Sequence, residues 1–243
     1  DVLGGEQEDN GEEAEQTVSY AAEVVTFGRP HHCALGVVQG SSTTTKEDPH
    51  ASTFSPQRVQ EFAQERVGRE GSAVAVAAAT HHTLVVQRNG HLHAFGLGKG
   101  GRLGMGDDCA QQCPLPRRVL GPLQRRRVVG VAAADNHSLC VSEDGFLFAW
   151  GSNRFGQLGD YNSSSNAGTS NCRCLPRRVE EMKQHPCVAV AAGERHSVAL
   201  SRNGEVYVWG DNTSGQMGVA RRSGIQKVQR VEALWKGTQP KVA

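Results

Sequence analysis

Three segments of this chain lie on one another without a gap: VAAATHHTLVVQRNGHLHAFGLGKGGRLG (76–104), VAAADNHSLCVSEDGFLFAWGSNRFGQLG (131–159) and VAAGERHSVALSRNGEVYVWGDNTSGQMG (190–218). Each is 29 residues long, and their starts fall 55 and 59 residues apart. All the variation in length lies between the shared blocks. A pattern recurring in phase at this spacing is a structural unit that stacks on its copies, not a site that occurs once. EVVTFGRPHHCALG (23–36) is a degenerate fourth copy with only the second half of the pattern, and IQKVQRVEALWKGTQPKVA (225–243) reads as the start of a further unit.

One unit has a direct physical reading. HTLVVQ and HSVALS are short apolar strands. Asn89-Gly90, Asp144-Gly145 and Asn203-Gly204 follow, a hairpin signal of the two-residue type in which both central positions take positive φ. The returning strands are HLHAF, FLFAW and EVYVW. Alternation puts Phe95, Trp150 and Trp209 on one face with His93, Phe148 and Tyr207, and Leu92, Leu147 and Val206 on the other. Both faces are largely apolar, as in a sheet packed between two others. The turn after them repeats Gly at fixed offsets from Gly96, Gly151 and Gly210, which predicts sharp turns and close backbone approach. LPRRV occurs at 115–119 and 175–179, with SPQRV at 55–59, and Pro at a strand entry suits an edge position. Taking these as the first strand of each following unit gives about four strands per unit, hence a propeller.

Composition agrees with this. Gly makes up 29 of 243 residues, about 12% against a usual ~7%. Residues 1–15 hold seven acids and no Lys or Arg, so the rest carries 26 basic against 18 acidic residues, a net +8. The acidic start is expected to be a solvated tail, while the basic body allows an acidic partner without requiring one. Seven cysteines do not form a secreted disulfide framework, and no apolar run approaches the length that spans a bilayer. An intracellular protein, cytoplasmic or nuclear, is expected. The expected layout is an acidic tail at 1–22, a half-unit at 23–36, loop insertions at 37–55 and 160–174, units at 56–104, 115–159 and 175–218, and the start of another at 219–243.

VAAGERHSVAL, the NG turn and EVYVWGDNTSGQMG resemble the repeat of the regulator of chromosome condensation family, whose pattern runs approximately V-A-A-G-x-x-H-S-x-A-L…G-x-V-Y-x-W-G-x-N-x-x-G-Q-L-G. The resemblance covers roughly residues 23–236. It implies an all-β fold, a seven-bladed β-propeller of which three clear four-stranded blades and parts of two more are present, about half the ring. The other blades are then expected from the rest of a longer chain or from a partner. The founding family member is a guanine nucleotide exchange factor for the small GTPase Ran and binds nucleosomes, without a cofactor. Other relatives carry the propeller as an interaction module, within ubiquitin ligases among others.

Each candidate residue has two readings. His82, His137 and His196 could be ligands or bases, but equivalent positions around a ring need not converge, and ties between strands explain them more simply. Phe95, Trp150 and Trp209 could form a stacking platform for nucleic acid, but packing against the next unit accounts for them. Cys109, Cys113, Cys172 and Cys174 lie in loops at the same place on neighbouring units and could meet around zinc, although C-x3-C and C-x-C are not the usual knuckle spacing. Arg117, Arg118, Arg125, Arg126, Arg127, Arg177 and Arg178 form the most distinctive surface feature, either a docking surface for acidic protein, phosphate or DNA backbone, or a guard on exposed strand edges.

No nucleophile stands with a base, and neither catalysis nor a cofactor is expected. The first expectation is a non-catalytic protein–protein interaction scaffold, a module of a larger intracellular protein. The alternatives are an exchange factor for a Ran-type GTPase that binds chromatin, and an accessory propeller of a ubiquitin ligase.

Overall fold

The computed structural model describes residues 23–28, 53–62, 70–106, 112–160, 171–219 and 224–232. Fourteen strands occur in these segments: β1 (Val25–Gly28), β2 (Thr53–Arg58), β3 (Ala73–Ala78), β4 (His82–Gln87), β5 (Leu92–Leu97), β6 (Gln112–Arg118), β7 (Val128–Ala133), β8 (His137–Ser142), β9 (Leu147–Ser152), β10 (Cys172–Arg178), β11 (Cys187–Ala192), β12 (His196–Ser201), β13 (Val206–Asp211) and β14 (Ile225–Arg230). They make three four-stranded antiparallel meanders, β3-β4-β5-β6, β7-β8-β9-β10 and β11-β12-β13-β14, preceded by the pair β1-β2. No helix among the described residues is long and apolar enough to cross a membrane.

The Leu-Pro-Arg-Arg strands fall elsewhere than the reading above. Arg118 is opposite His93 and Arg178 opposite Phe148, so β6 and β10 close the sheet of the preceding block and do not open the next. Each outer strand folds back on the aromatic strand just before it, although the loop to that strand, from Leu97 to Gln112 or from Ser152 to Cys172, is longer than the link to the next block. A three-residue 3-10 turn follows β2, β6 and β10, at Gln60–Phe62, Gly121–Leu123 and Glu180–Met182, and plugs one apolar side chain, Phe62, Leu123 or Met182, into the core.

The hairpins also differ in type. Gln87 N donates to His91 O at 2.9 Å and Gly90 N to Gln87 O at 2.8 Å, so the loop has three residues. Gly90, at φ 81°, takes the left-handed bulge position, and Gly145 and Gly204 repeat it at 86° and 80°. Only the glycine needs positive φ here.

The two faces of each sheet part as the alternation predicts. Leu84, Val86, Leu92 and Ala94 pack with Cys140, Phe148 and Trp150 between the first and second complete sheets. Leu139, Val141, Leu147 and Ala149 pack with Ala199, Tyr207 and Trp209 between the second and third. Aromatic faces therefore point toward the preceding sheet, and Phe95, Trp150 and Trp209 are fully buried. Val59, Val119, Val179 and Val231, each the residue just after an outer strand, are buried in all four sheets.

Candidate partner-binding surface

The most regular residues of the repeat are occupied by the joints between sheets. His82 Nε2 lies 2.8 Å from Ser138 Oγ in the next sheet, and His137 Nε2 lies 2.9 Å from Ser197 Oγ. Ser138 Oγ donates to Arg102 O at 2.8 Å and Ser197 Oγ to Gln157 O at 2.7 Å. A hydroxyl has one proton, so each serine accepts from its histidine, which fixes the Nε2–H tautomer. Trp150 Nε1 and Trp209 Nε1 donate to the same two carbonyls, both at 2.8 Å. One turn carbonyl thus gathers two donors from the following sheet. Burial pushes His82 down to about 3 and His137 down to about 4, so both rings are neutral near pH 7. His196 heads the third complete sheet, which has no following sheet among the described residues, and is half-buried. The serines and the two turn carbonyls were not singled out in the sequence, although the recurring His-Ser dipeptide carried the signal.

Gly96, Gly151 and Gly210 have φ of 115°, 102° and 108°. A Cβ at Gly151 would stand 2.5 Å from Asn136 O, so the strand can leave the hairpin only at glycine.

Among the described residues, the cysteines of this group are not gathered into one cluster. Cys113 is buried on β6 and its thiol donates to Leu115 O at 3.1 Å, whereas Cys172 and Cys174 lie on β10 of the next sheet. Cys109 lies outside the described residues. No group of three or more His, Cys, Asp or Glu suited to a metal occurs among the described residues.

The arginines divide by task. Arg127 is a clamp: it donates to Asn89 O at 3.0 Å and Arg88 O at 2.8 Å on the preceding hairpin and pairs with Glu143 at 3.3 Å. Arg177 pairs with Asp160 at 3.2 Å, as Arg173 does at 3.0 Å. Arg126 pairs with Asp144 and lies over the rings of Phe146, at 4.9 Å, and Phe148, at 5.7 Å. Arg178 lies over Phe146 at 3.8 Å. Arg118 donates to Gln124 O at 3.3 Å, while Arg117 and Arg125 are exposed. A cleft of about 670 Å³ opens beside this group, lined by Gly121, Gln124, Arg125, Arg126 and Asp144 among others. The basic surface is therefore local to the β6–β7 connection and the β9 hairpin, where Phe146 is the residue that sequence reading missed.

The regulator of chromosome condensation (RCC1) repeat matches residues 89–141 and 144–200, and a second description of the same repeat matches 128–157 and 187–216. The chain belongs to the regulator of chromosome condensation repeat family. Among relatives of this repeat, the ultraviolet-B receptor UVR8 of Arabidopsis thaliana is 30% identical over 232 residues, covering 91% of this chain and 47% of the receptor. The E3 ubiquitin-protein ligase HERC2 of Homo sapiens is 28% identical over 188 residues, covering 76% of this chain and 4% of the ligase. The chain thus spans less than half the length of either. Prp20p from Saccharomyces cerevisiae superimposes with a TM-score of 0.67 at 22% identity, over 86% of this chain and 46% of that one, and shares the repeat's propeller fold.

Proposed function

We propose that this chain is a non-catalytic protein-interaction module whose docking surface is the arginine-bearing edge of its first two complete sheets. One observation carries the reading. The residues shared by all repeats are spent on inter-sheet joints, whereas Arg117, Arg118, Arg125, Arg126, Arg177 and Arg178 concentrate on two adjacent sheets and remain at least partly exposed. Function in a repeat fold resides in what differs between copies. Burial raises the Cys140 thiol and pushes the Cys187 thiol up to about 11, and Cys187 donates to His185 O at 3.3 Å, so neither is a thiolate near neutral pH. Prp20p, characterised for its binding to Gsp1p and histones, and HERC2, a ubiquitin ligase, supply precedents for the family's use in protein assemblies and in much longer chains.

A titration of the purified chain with fluorescent polyglutamate tests the reading. Saturable binding at about 25 mM salt that weakens toward about 200 mM is expected, because contacts at an exposed rim are screened. No binding at the lower salt overturns it. A nucleotide-release assay with a Ran-type GTPase separates the exchange-factor alternative: no acceleration is expected, and acceleration would replace the present reading.

A further inference from the structure

Four outer strands close the sheets, and three of them are guarded. β2 carries Pro56, β6 Pro114 and Pro116, and β10 Pro176. A proline on an edge has no amide to offer to another chain. β14, IQKVQR, has no proline. Opposite Ala94, Ala149 and Val208 the outer strands carry Arg117, Arg177 and Gln229, so the exposed arginine of the two middle edges is missing from β14 as well. Its ladder is also the more regular. Against Val208 to Gly210, β14 runs from Gln229 to Gln226, one residue more than an even ladder. β6 runs from Arg117 to Cys113 against Ala94 to Gly96, and β10 from Arg177 to Arg173 against Ala149 to Gly151, each two residues more. Bulges and prolines blunt an edge against added strands, and β14 has the least of both. The inner edges are protected differently, since β3, β7 and β11 crowd on one another.

The backbone of β14 is open in a defined way. Asn212 N donates to Gly224 O at 3.2 Å and Val231 N to Val206 O at 2.9 Å, so Gly224 and Val231 turn toward β13. By alternation, Ile225 and Arg230 turn their N–H and C=O groups outward, where no strand follows among the described residues. The strand is also nearly symmetric about its centre. Set antiparallel to itself, it pairs Ile225 with Arg230, Gln226 with Gln229 and Lys227 with Val228. Both Ile225–Arg230 pairs then exchange backbone hydrogen bonds. Gln226 and Gln229 share one sheet face, opposite Gly210 and Val208, and their amides both donate and accept. Charge does not oppose the pairing. Glu205 holds Arg230 at 2.6 Å, and Lys227 falls opposite Val228 and not opposite its own copy.

We propose that β14 is a self-association edge, to which a second copy of this chain adds its own β14 antiparallel, making one continuous sheet across a two-fold axis. The edge is independent of the docking surface proposed above, whose arginines stand on the other two complete sheets.

Sedimentation velocity of the purified chain between about 2 and about 200 µM tests this, since so small an interface gives a weak dimer. The sedimentation coefficient should rise from that of one copy toward that of two and stop there. Ile225→Pro puts at the strand entry the residue that guards the other edges, and is expected to abolish the rise. Gln226→Glu combined with Gln229→Glu sets like charges opposite one another across the axis, as does Gln226→Lys combined with Gln229→Lys. Each double variant alone should stay monomeric. Mixed in equal amounts they should dimerise again, because every like pair becomes an opposite pair, and only folded variants can do so. A wild-type chain that stays monomeric at every concentration overturns the proposal, as does a mixture that does not recover the dimer. Growth beyond two copies that ignores all the β14 variants would place the association at the histidine joints and overturn it too.

Discussion

Trp150 and Trp209 are packing residues that also donate a hydrogen bond, and the two roles can be separated. Trp209→Phe keeps most of the ring volume but deletes the donor to Gln157 O, which retains Ser197; a loss of about 1 kcal/mol in denaturant unfolding is expected. His137→Ala removes both ring and tie and should cost about 2–4 kcal/mol. The histidines also set a pH dependence. His82 and His137 are lowered from 6.5 to about 3 and about 4, so the unfolded chain binds protons that the folded chain refuses. Their contribution is complete above about pH 6.5 and is lost as pH falls from there toward 4 and then 3. Denaturation midpoints measured from pH 7.5 down to 4.5 should fall, less steeply in His137→Gln. A midpoint independent of pH in that window would rule out neutral, buried rings. At this scale the sequence was informative about which residues recur and silent about their partners. His137 and Ser197 are 60 residues apart, and only the stacking of sheets brings them together.

Within one sheet, strand type was readable and strand membership was not. The alternation of Leu147, Phe148, Ala149 and Trp150 assigns both faces of β9 without a structure. A periodic sequence has no marked origin, however, so LPRRV could as well begin a unit as end one. The deciding feature is Arg178 opposite Phe148, which no local propensity encodes. The surface was legible only in part for the same reason: the arginines stand out in the sequence, but that those of the outer strands meet Glu23 and Glu205 in two sheets and the Phe146 ring in another appears only once the register is known. Two glycines give a test of the local geometry. Gly151→Ala should destabilise by about 3 kcal/mol or more, since its φ is 102° and its Cβ would meet Asn136 O. Gly130 lies in β7 at ordinary φ with nothing within 4 Å of a Cβ, so Gly130→Ala should be neutral or stabilise by up to about 1 kcal/mol.

Across the whole molecule, each sheet is stabilised by its neighbours, so stability is expected to grade along the stack. Hydrogen exchange should be slowest in β8 and β9, which are buried on both faces by apolar layers shared with the sheets on either side. The pair β1-β2 should exchange fastest; Phe27, at the position of Phe95, Trp150 and Trp209, is 68% exposed where those are fully buried. Uniform protection across all sheets would show one indivisible unit.

The joint itself has a direction. A turn carbonyl and a histidine on one side meet a serine and an indole on the other, and neither half can join to its own kind. Such a joint has two unlike halves, like a plug and a socket, and cannot make a two-fold symmetric dimer. Any association of copies through it must run head to tail, and head-to-tail contacts stop growing only when the last copy meets the first.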